Sequence, residues 1–228
     1  MKNSIILLFL FVTVAAEAQN RDWPNIKRFE QANSIIPSPA KGEKRVVYMG
    51  DSITDFWINN DSTFFAGKPY YDRGISGQTT GQMLLRFRED VINLKPAVVV
   101  ILAGINDIAE NNGPSKLEDV MGNIISMAEL AKINHIKVVL SSVLPAAAFP
   151  WRPTIDPKPK VKALNDMIKE YAQKNNFVYL DYFTTMVDEN QGLPKNLAKD
   201  GVHPTLEGYK VMEPLAEKAI AEALKAKQ

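Results

Sequence analysis

Short, continuous apolar runs recur along this chain, separated by segments of helical spacing. Four of the runs are rich in valine, isoleucine and leucine, and a fifth is more polar. In chain order they are Val46–Met49, Tyr70–Arg73, Ala97–Leu102, Lys137–Ser141 and Phe177–Leu180. Their length and β-branched content are typical of strands that are buried on both faces of a sheet.

The segments between these runs place apolar residues three or four positions apart, as on one face of a helix. Leu117–Ile125 and Val161–Tyr171 show this spacing, and Leu206–Ala226 predicts a closing helix. The stretch Asn20–Lys44 predicts a short helix that packs on the domain through its apolar residues. Because strands that alternate with amphipathic helices form βαβ units, we predict an α/β fold. Its architecture would be a three-layer α/β/α sandwich with a mostly parallel, five-stranded sheet.

The charges of the 228-residue chain nearly balance, with 27 Lys and Arg against 26 Asp and Glu. A net charge of +1 without a basic run argues against a nucleic-acid partner, because such partners are held largely by phosphate neutralisation. The chain contains no cysteine. That excludes a disulfide scaffold, a thiolate zinc site, an iron–sulfur cluster, a cysteine nucleophile and lipidation on a thiol.

The first residues have the layout of a secretory signal peptide. Lys2 supplies the positive n-region, Ile5–Val14 the apolar h-region, and 16–18 (Ala-Glu-Ala) an A-x-A cleavage site. We predict that residues 1–18 are a signal peptide and that residues 19–228 form one secreted or periplasmic domain, with no stable membrane insertion after cleavage. An uncleaved anchor is the alternative, although the apolar run is shorter than the roughly 20 residues that span a bilayer.

Polar, glycine-containing loops follow the first three predicted strands. They are 50–54 (Gly-Asp-Ser-Ile-Thr), 74–79 (Gly-Ile-Ser-Gly-Gln-Thr) and 104–107 (Gly-Ile-Asn-Asp). A fourth polar group, 200–204 (Asp-Gly-Val-His-Pro), precedes the closing helix. In parallel α/β sheets, ligands bind outside the carboxyl ends of the strands. The sequence therefore predicts that the chemistry of this protein is concentrated in these four loops, at one edge of the sheet.

Ser52 is a candidate nucleophile. It follows a predicted strand directly and opens a predicted helix, where a hydroxyl projects from a tight turn. The alternative is that Ser52 only caps the helix. A serine nucleophile needs a base, and the chain offers two histidines, His135 and His203.

His203 is the better candidate for that base. His135 lies in a turn that leads into the fourth strand, at the opposite edge of the sheet. Asp200 stands three residues before His203, so its carboxylate is placed to orient the imidazole through Nδ1 while Nε2 faces the serine. The alternative reading of this group is a helix start with a surface histidine.

Acyl transfer also requires hydrogen-bond donors for the oxyanion. The side-chain amide of Asn106, the backbone N–H of Gly77 and the N–H of Ser52 are candidates, since glycine allows a close approach of the backbone to a ligand. Each has a structural alternative: an Asx turn for Asn106 and a positive-φ turn for Gly77.

The ordered set formed by Gly50-Asp51-Ser52, Gly77, Gly104-x-Asn106-Asp107 and Asp200-x-x-His203 resembles the SGNH hydrolase family, also called GDSL esterases or lipases. The resemblance spans essentially the whole predicted domain. It implies a flavodoxin-like α/β/α fold and no cofactor. It also implies Ser52 as nucleophile, Gly77 and Asn106 as oxyanion donors, His203 as base and Asp200 as its orienting carboxylate. Ile53 stands where the family name has leucine, a swap that keeps the position aliphatic.

The substrate is less constrained by the sequence. Trp57, Trp151 and Arg152 are candidate substrate-binding residues: each tryptophan can stack on a sugar ring or pack its loop, and Arg152 can contact an anionic substrate. No long apolar lid is evident, which favours short acyl groups such as acetyl, on a small molecule or a glycan. The resemblance leaves lysophospholipase and thioesterase activity as alternatives.

The sequence is also compatible with two hypotheses from other functional classes. In the first, Asp51, Asp107, Asp200 and His203 are oxygen and nitrogen ligands of a metal-dependent phosphoesterase. In the second, the chain is a non-catalytic glycan-binding domain. The serine mechanism that we favour requires no metal.

Overall fold

The computed structural model describes residues 22–226, and five strands within this range form one sheet. In chain order the strands are β1 (Val46–Gly50), β2 (Tyr70–Gly74), β3 (Val98–Leu102), β4 (Lys137–Ser141) and β5 (Val178–Leu180). Their spatial order is β2-β1-β3-β4-β5, and every neighbouring pair is parallel. The predicted five-stranded sheet is therefore confirmed. It is parallel throughout, with the flavodoxin-like strand order.

Helices cover both faces of the sheet. They are α1 (Glu30–Ser34), α2 (Ser52–Asp55), α3 (Trp57–Asn60), α4 (Ser62–Phe65), α5 (Thr80–Asp90), α6 (Ile105–Ile108), α7 (Leu117–Ile133), α8 (Lys158–Lys174), α9 (Phe183–Met186) and α10 (Leu206–Lys225). Two 3₁₀ helices span Ile26–Phe29 and Ile92–Leu94. Helices α5, α7 and α8 pack side by side on one face, and α10 packs on the other with α3. The predicted three-layer α/β/α sandwich is confirmed.

The central strands explain why the sheet forms where the sequence predicted it. Every residue of β1 and β3 is buried, so their valine and isoleucine side chains contribute to the core on both faces. The edge strand β2 is less apolar and begins with three half-buried residues. Among the helices of residues 22–226, none is long and apolar enough to cross a bilayer.

The N-terminal segment contains the predicted short helix, but several of its large apolar side chains are exposed. Trp23 and Ile26 are 51% and 38% exposed, whereas Phe29 is half-buried beneath the guanidinium of Arg73. The segment is held in part by hydrogen bonds to its backbone, such as that from Gln78 Nε2 to Pro24 O (2.7 Å). The predicted signal peptide lies outside the described residues.

Candidate active site

The first three strands in chain order end at the same level of the sheet. Gly50 at the end of β1 pairs with Gly74 of β2 and with Leu102 of β3. The loops that follow these positions carry Ser52, Gly77 and Asn106. Strand register therefore brings the three loops to one edge, as the sequence predicted.

Ser52 is the first residue of α2, and it does not cap this helix. The N-cap is Asp51, whose Oδ1 accepts the backbone N–H of Ile53 at 2.9 Å. A Cβ at position 50 would overlap Thr54, so α2 starts this close to β1 only because residue 50 is glycine. With the cap supplied by Asp51, the Ser52 hydroxyl is available for another partner.

That partner is His203. Ser52 Oγ lies 2.9 Å from His203 Nε2, and His203 Nδ1 lies 2.6 Å from Asp200 Oδ2. The other carboxylate oxygen of Asp200 accepts the backbone N–H groups of Val202 (3.0 Å) and His203 (2.8 Å). Gly201 has a φ of 79°, in the left-handed region, which makes this tight turn possible. The structure thus brings Ser52, His203 and Asp200 together in one hydrogen-bonded line.

The carboxylate of Asp200 stays ionised in this setting. Partial burial acts to raise its pKa, but hydrogen bonds from the His203 ring and from the backbone N–H groups of His203 and Val202 outweigh it. The pKa of Asp200 therefore lies below its ordinary value. An ionised Asp200 is an acceptor for an Nδ1–H of His203, and this contact orients the ring with Nε2 facing the serine.

The candidate oxyanion donors lie on the same edge. The buried Asn106 donates from Nδ2 to Gln78 O at 3.1 Å, across to the loop of Gly77 rather than within its own turn. Its second Nδ2 proton has no acceptor within residues 22–226, and the same is true of the Ser52 and Gly77 N–H groups. Gly77 has a φ of 77° and is exposed. Three N–H groups are therefore free for a ligand; their role as oxyanion donors stays a prediction.

A buried arginine ties the first two of these loops together. Arg86 on α5 is fully buried and donates from Nε to Gln78 Oε1 (2.5 Å) and from Nη2 to Gly50 O (3.0 Å). Its Nη1 forms an ion pair with the equally buried Asp90 at 2.9 Å. One guanidinium thus fixes the segments that precede Ser52 and follow Gly77.

Asp51 presents a second buried carboxyl group beside the site. It is 1% exposed, and its Oδ2 has no hydrogen-bond partner within the described part of the chain. Burial raises the pKa of Asp51 to about 7, against the lowering effects of the Ile53 N–H and the nearby His203. The Asp51 carboxyl group therefore keeps its proton at pH values well above those at which a carboxylic acid normally ionises.

The prediction that Trp57 binds substrate is wrong. Trp57 is 1% exposed and stacks between Phe64 (ring centroids 4.9 Å apart) and Tyr209 of α10 (5.3 Å). Tyr209 also donates its hydroxyl to Ile53 O at 2.8 Å, which ties α10 to the loop of Ser52. Trp57 is therefore a core residue beneath the loop of Ser52, and its place near Ser52 in the sequence did not show whether its ring faces the core or the solvent.

Two aromatic rings flank His203 instead. The ring centroid of Trp151 lies 6.1 Å from that of His203, and the ring centroid of Phe56 lies 5.3 Å away. Both are part-exposed, at 41% and 38%. Arg152 is exposed, and its guanidinium forms no hydrogen bond or ion pair within residues 22–226. Of the three predicted substrate-binding residues, only Trp151 lies at the site.

The sequence matches the model of the GDSL-like lipase/acylhydrolase family over residues 48–211. The chain belongs to this family. The match contains the Ser52, Gly77, Asn106, Asp200 and His203 positions and most of the sheet. The resemblance read from the sequence is therefore confirmed, and the chain is assigned to a family of ester-bond hydrolases.

Solved structures of family relatives share this fold over nearly the whole chain. A proposed acylhydrolase from Bacteroides fragilis is 53% identical, covers 90% of this chain and 100% of its own, and superposes with a TM-score of 0.88. A GDSL-like lipase from Bacteroides thetaiotaomicron is 52% identical over 89% of this chain and 100% of its own, with a TM-score of 0.87.

Curated relatives match at lower identity and over part of their lengths. The uncharacterised lipoprotein YqeF of Bacillus subtilis is 28% identical over 61% of this chain and 56% of its own length. The acetylxylan esterase of Geobacillus stearothermophilus is 27% identical over 62% of this chain and 67% of its own length. This chain therefore spans little more than half of the first of these relatives and about two thirds of the second.

The alternative of a metal centre finds no support in the arrangement of side chains in this GDSL-like protein. Both carboxylate oxygens of Asp107 accept hydrogen bonds from Thr80, at 2.9 Å from its N–H and 2.7 Å from its hydroxyl. Asp200 is engaged with His203. Across residues 22–226, no group of three or more His, Asp or Glu converges to hold a metal ion.

Several residues of the GDSL-like site escaped sequence reasoning. For Arg86 the sequence did contain a signal. Arg86 is a charged residue on the apolar side of a helix, between Met83 and Phe87, and such a position indicates a buried ion pair. Phe56 and Asn111 carried none, because their roles depend on loops that meet only in the folded chain. His135 lies in the turn before β4, at the opposite edge, as predicted.

Proposed function

We propose that this chain is a serine esterase that hydrolyses short-chain acyl esters, with acetyl esters of carbohydrates as its substrate class. The observation that carries the proposal is the line of hydrogen bonds from Ser52 Oγ to His203 Nε2 (2.9 Å) and from His203 Nδ1 to Asp200 Oδ2 (2.6 Å). A serine with a base in hydrogen-bond reach, and a base oriented by a carboxylate, is the arrangement of an activated nucleophile.

In the first half of the proposed reaction, Ser52 Oγ attacks the ester carbonyl carbon while His203 Nε2 takes the hydroxyl proton. The carbonyl oxygen becomes an oxyanion in a tetrahedral intermediate. The intermediate collapses as the bond to the alcohol oxygen breaks, and His203 returns the proton to the departing alcohol. The product of this half is an acyl-enzyme on Ser52.

Water completes the proposed reaction. His203 takes a proton from a water molecule, whose oxygen attacks the acyl carbon. The second tetrahedral intermediate releases the carboxylic acid as His203 protonates Ser52 Oγ. Asp200 remains an ionised acceptor throughout, which its lowered pKa supports.

In the proposed reaction, three free N–H groups stabilise the oxyanion. They are the backbone N–H of Ser52, the backbone N–H of Gly77 and the unshared Nδ2 proton of Asn106. Losing one preorganised donor of this kind costs on the order of a hundredfold or more in turnover. The hydrogen bond from Asn106 to Gln78 O supports this role, because it prevents the amide from turning towards its own backbone.

The choice of substrate rests on the surroundings of His203 and on one relative. Trp151 and Phe56 leave part of each ring exposed beside the imidazole, and exposed aromatic rings offer a stacking surface to sugars. The acetylxylan esterase of Geobacillus stearothermophilus is a curated relative. Secretion or a periplasmic location is supported by the signal-like pattern of residues 1–18.

The first experiment compares hydrolysis of p-nitrophenyl acetate, butyrate and octanoate by the parent protein and by Ser52→Ala, with and without EDTA. We expect the acetate ester to be the best substrate, EDTA to have no effect, and Ser52→Ala to lose activity by about a thousandfold or more. Ser126→Ala is the matched control, because Ser126 lies on α7 with its hydroxyl on Gly122 O. Equal activity of Ser52→Ala and parent would contradict the serine mechanism.

A second experiment tests the remaining roles and the substrate class. His203→Ala and Asp200→Ala should both lose p-nitrophenyl acetate hydrolysis, the histidine variant more strongly. Acetylated xylo-oligosaccharides should give a higher kcat/KM than p-nitrophenyl acetate in the parent. Parent-level rates in both variants would refute the base and its orienting carboxylate. A lower kcat/KM on the oligosaccharide would refute the carbohydrate assignment alone.

A further inference from the structure

An amide can serve as an oxyanion donor only in one of its two orientations. The NH₂ of Asn106 must face the substrate, and a rotation of 180° would present the carbonyl oxygen instead and repel a developing negative charge. Asn106 is 4% exposed, so water does not impose this orientation. Other groups of the protein must therefore fix the orientation of the amide.

Asn106 is one link in a chain of hydrogen bonds that crosses the site. Trp151 Nε1 donates to Asn111 Oδ1 at 3.2 Å, and Asn111 Nδ2 donates to Asn106 Oδ1 at 2.6 Å. Asn106 Nδ2 in turn donates to Gln78 O at 3.1 Å. Indole N–H groups only donate and backbone carbonyls only accept, so both ends of the chain fix its direction. Each amide in between can take only one orientation.

We propose that Asn111 is a positioning residue that locks the Asn106 amide with its NH₂ towards the oxyanion. The inference rests on the proposed function and adds a residue to it. Asn111 acts through Asn106 and touches no reacting atom, and Trp151 fixes Asn111 from the far side of the chain. The amide of Asn111 thereby links a part-exposed ring beside His203 to the oxyanion donor.

The backbone around Asn111 is built to hold this contact. Asn111 N–H donates to Asn106 O at 3.0 Å, and Glu110 between them has a φ of 55°, in the left-handed region. Lys160 on α8 forms an ion pair with Glu110 at 3.0 Å. The six-residue turn from Asn106 to Asn111 is therefore closed by one main-chain and one side-chain hydrogen bond.

The experiment measures kcat and KM for p-nitrophenyl acetate in Asn111→Ala and Asn111→Asp. Alanine removes the donor, and we expect kcat to fall about tenfold with KM changed less than about threefold. Aspartate keeps the size but offers only acceptors to Asn106 Oδ1, so the amide should turn, and we expect a loss of roughly a hundredfold in kcat. Asn112→Ala is the control, because its amide binds Thr79 and Gln82 instead. It should stay within about twofold of the parent.

The decisive experiment measures kcat for both Asn111 substitutions in an Asn106→Ala background. If Asn111 acts through Asn106, neither substitution should lower kcat further by more than about twofold. The proposal is overturned if the losses multiply, or if both Asn111 variants behave like Asn112→Ala. Failure of the proposed function gives a different result. If the serine mechanism is wrong, Ser52→Ala keeps the parent's activity. If only the role of Asn111 is wrong, Ser52→Ala still loses activity.

Discussion

Arg86 Nη2 donates a hydrogen bond to Gly50 O at 3.0 Å. A buried cation therefore contacts the backbone two positions before Ser52 in the chain. The same guanidinium holds Gln78, next to Gly77, and is neutralised by Asp90. The loops of the proposed nucleophile and of a proposed oxyanion donor are thus held by the same side chain. Their relative position depends on an ion pair with no exposure to solvent.

We therefore expect Arg86→Ala to destabilise the fold and the site together. Removing one partner of a buried pair leaves the other charge uncompensated, which costs about 3–5 kcal/mol of unfolding free energy. Chemical denaturation measures this loss. Arg88→Ala on the same helix is the control, because Arg88 is exposed, and it should cost less than about 0.5 kcal/mol. Equal stability of the two variants would contradict the structural role of Arg86.

Gly77→Ala should reduce turnover more than stability. Gly77 has a φ of 77°, so alanine adds about 1–2 kcal/mol of backbone strain, although its Cβ would meet no atom within 4 Å. Relief of the strain turns the N–H of residue 77 away from the substrate, and we expect a loss of roughly tenfold or more in kcat. Gly67→Ala is the matched control, with a φ of 72° and equal space. A similar kcat in both variants would argue against a donor role for Gly77.

Substitutions of Trp57 and Trp151 should have different effects, the first on stability and the second on substrate binding. Trp57→Ala removes a fully buried ring and should cost about 3–5 kcal/mol in chemical denaturation. Trp151→Ala should cost less than about 1 kcal/mol, because 41% of this residue is exposed. It should instead raise the KM for an acetylated oligosaccharide about fivefold, as expected for loss of roughly 1 kcal/mol of ring stacking. An unchanged KM would remove Trp151 from the substrate site.

Asp51 should make stability depend on pH in a defined window. Its pKa rises from the ordinary 3.8 to about 7 on burial, so between these values the folded protein keeps a proton that the unfolded chain has released. The stability contributed by this proton is complete below about pH 4 and is lost as the pH rises to about 7. Asp51→Asn cannot ionise. Its unfolding free energy relative to the parent should therefore increase by roughly 4 kcal/mol between pH 4 and pH 8.

Chemical denaturation of both proteins across this range is the test. A difference that stays constant with pH would show that Asp51 titrates in the folded protein as it does in the unfolded chain. A difference that falls with rising pH would show that the carboxylate is stabilised rather than penalised by its surroundings.

The strands were predictable because their apolar composition indicates that they are buried. Val98–Leu102 is apolar throughout, and a run of this kind is stable only between two covering layers. Strand ends were less certain: β1 and β2 each extend by one glycine beyond the prediction, since glycine adds no apolar signal. The short helices α3 and α4 were not predicted, because four residues show no period.

By itself, the sequence determined the α/β architecture, the four loops that carry polar residues, and the resemblance that singles out Ser52 and His203. These follow from local patterns of apolar and polar residues, which the chain displays before it folds. Only the tertiary structure decided that Trp57 is a core residue, that Phe56 and Trp151 flank His203, and that Arg86 and Asn111 hold the loops. The physical reason is that most of these contacts join residues far apart in the chain, which come within hydrogen-bond or ring-contact distance only when the helices and loops pack on the sheet.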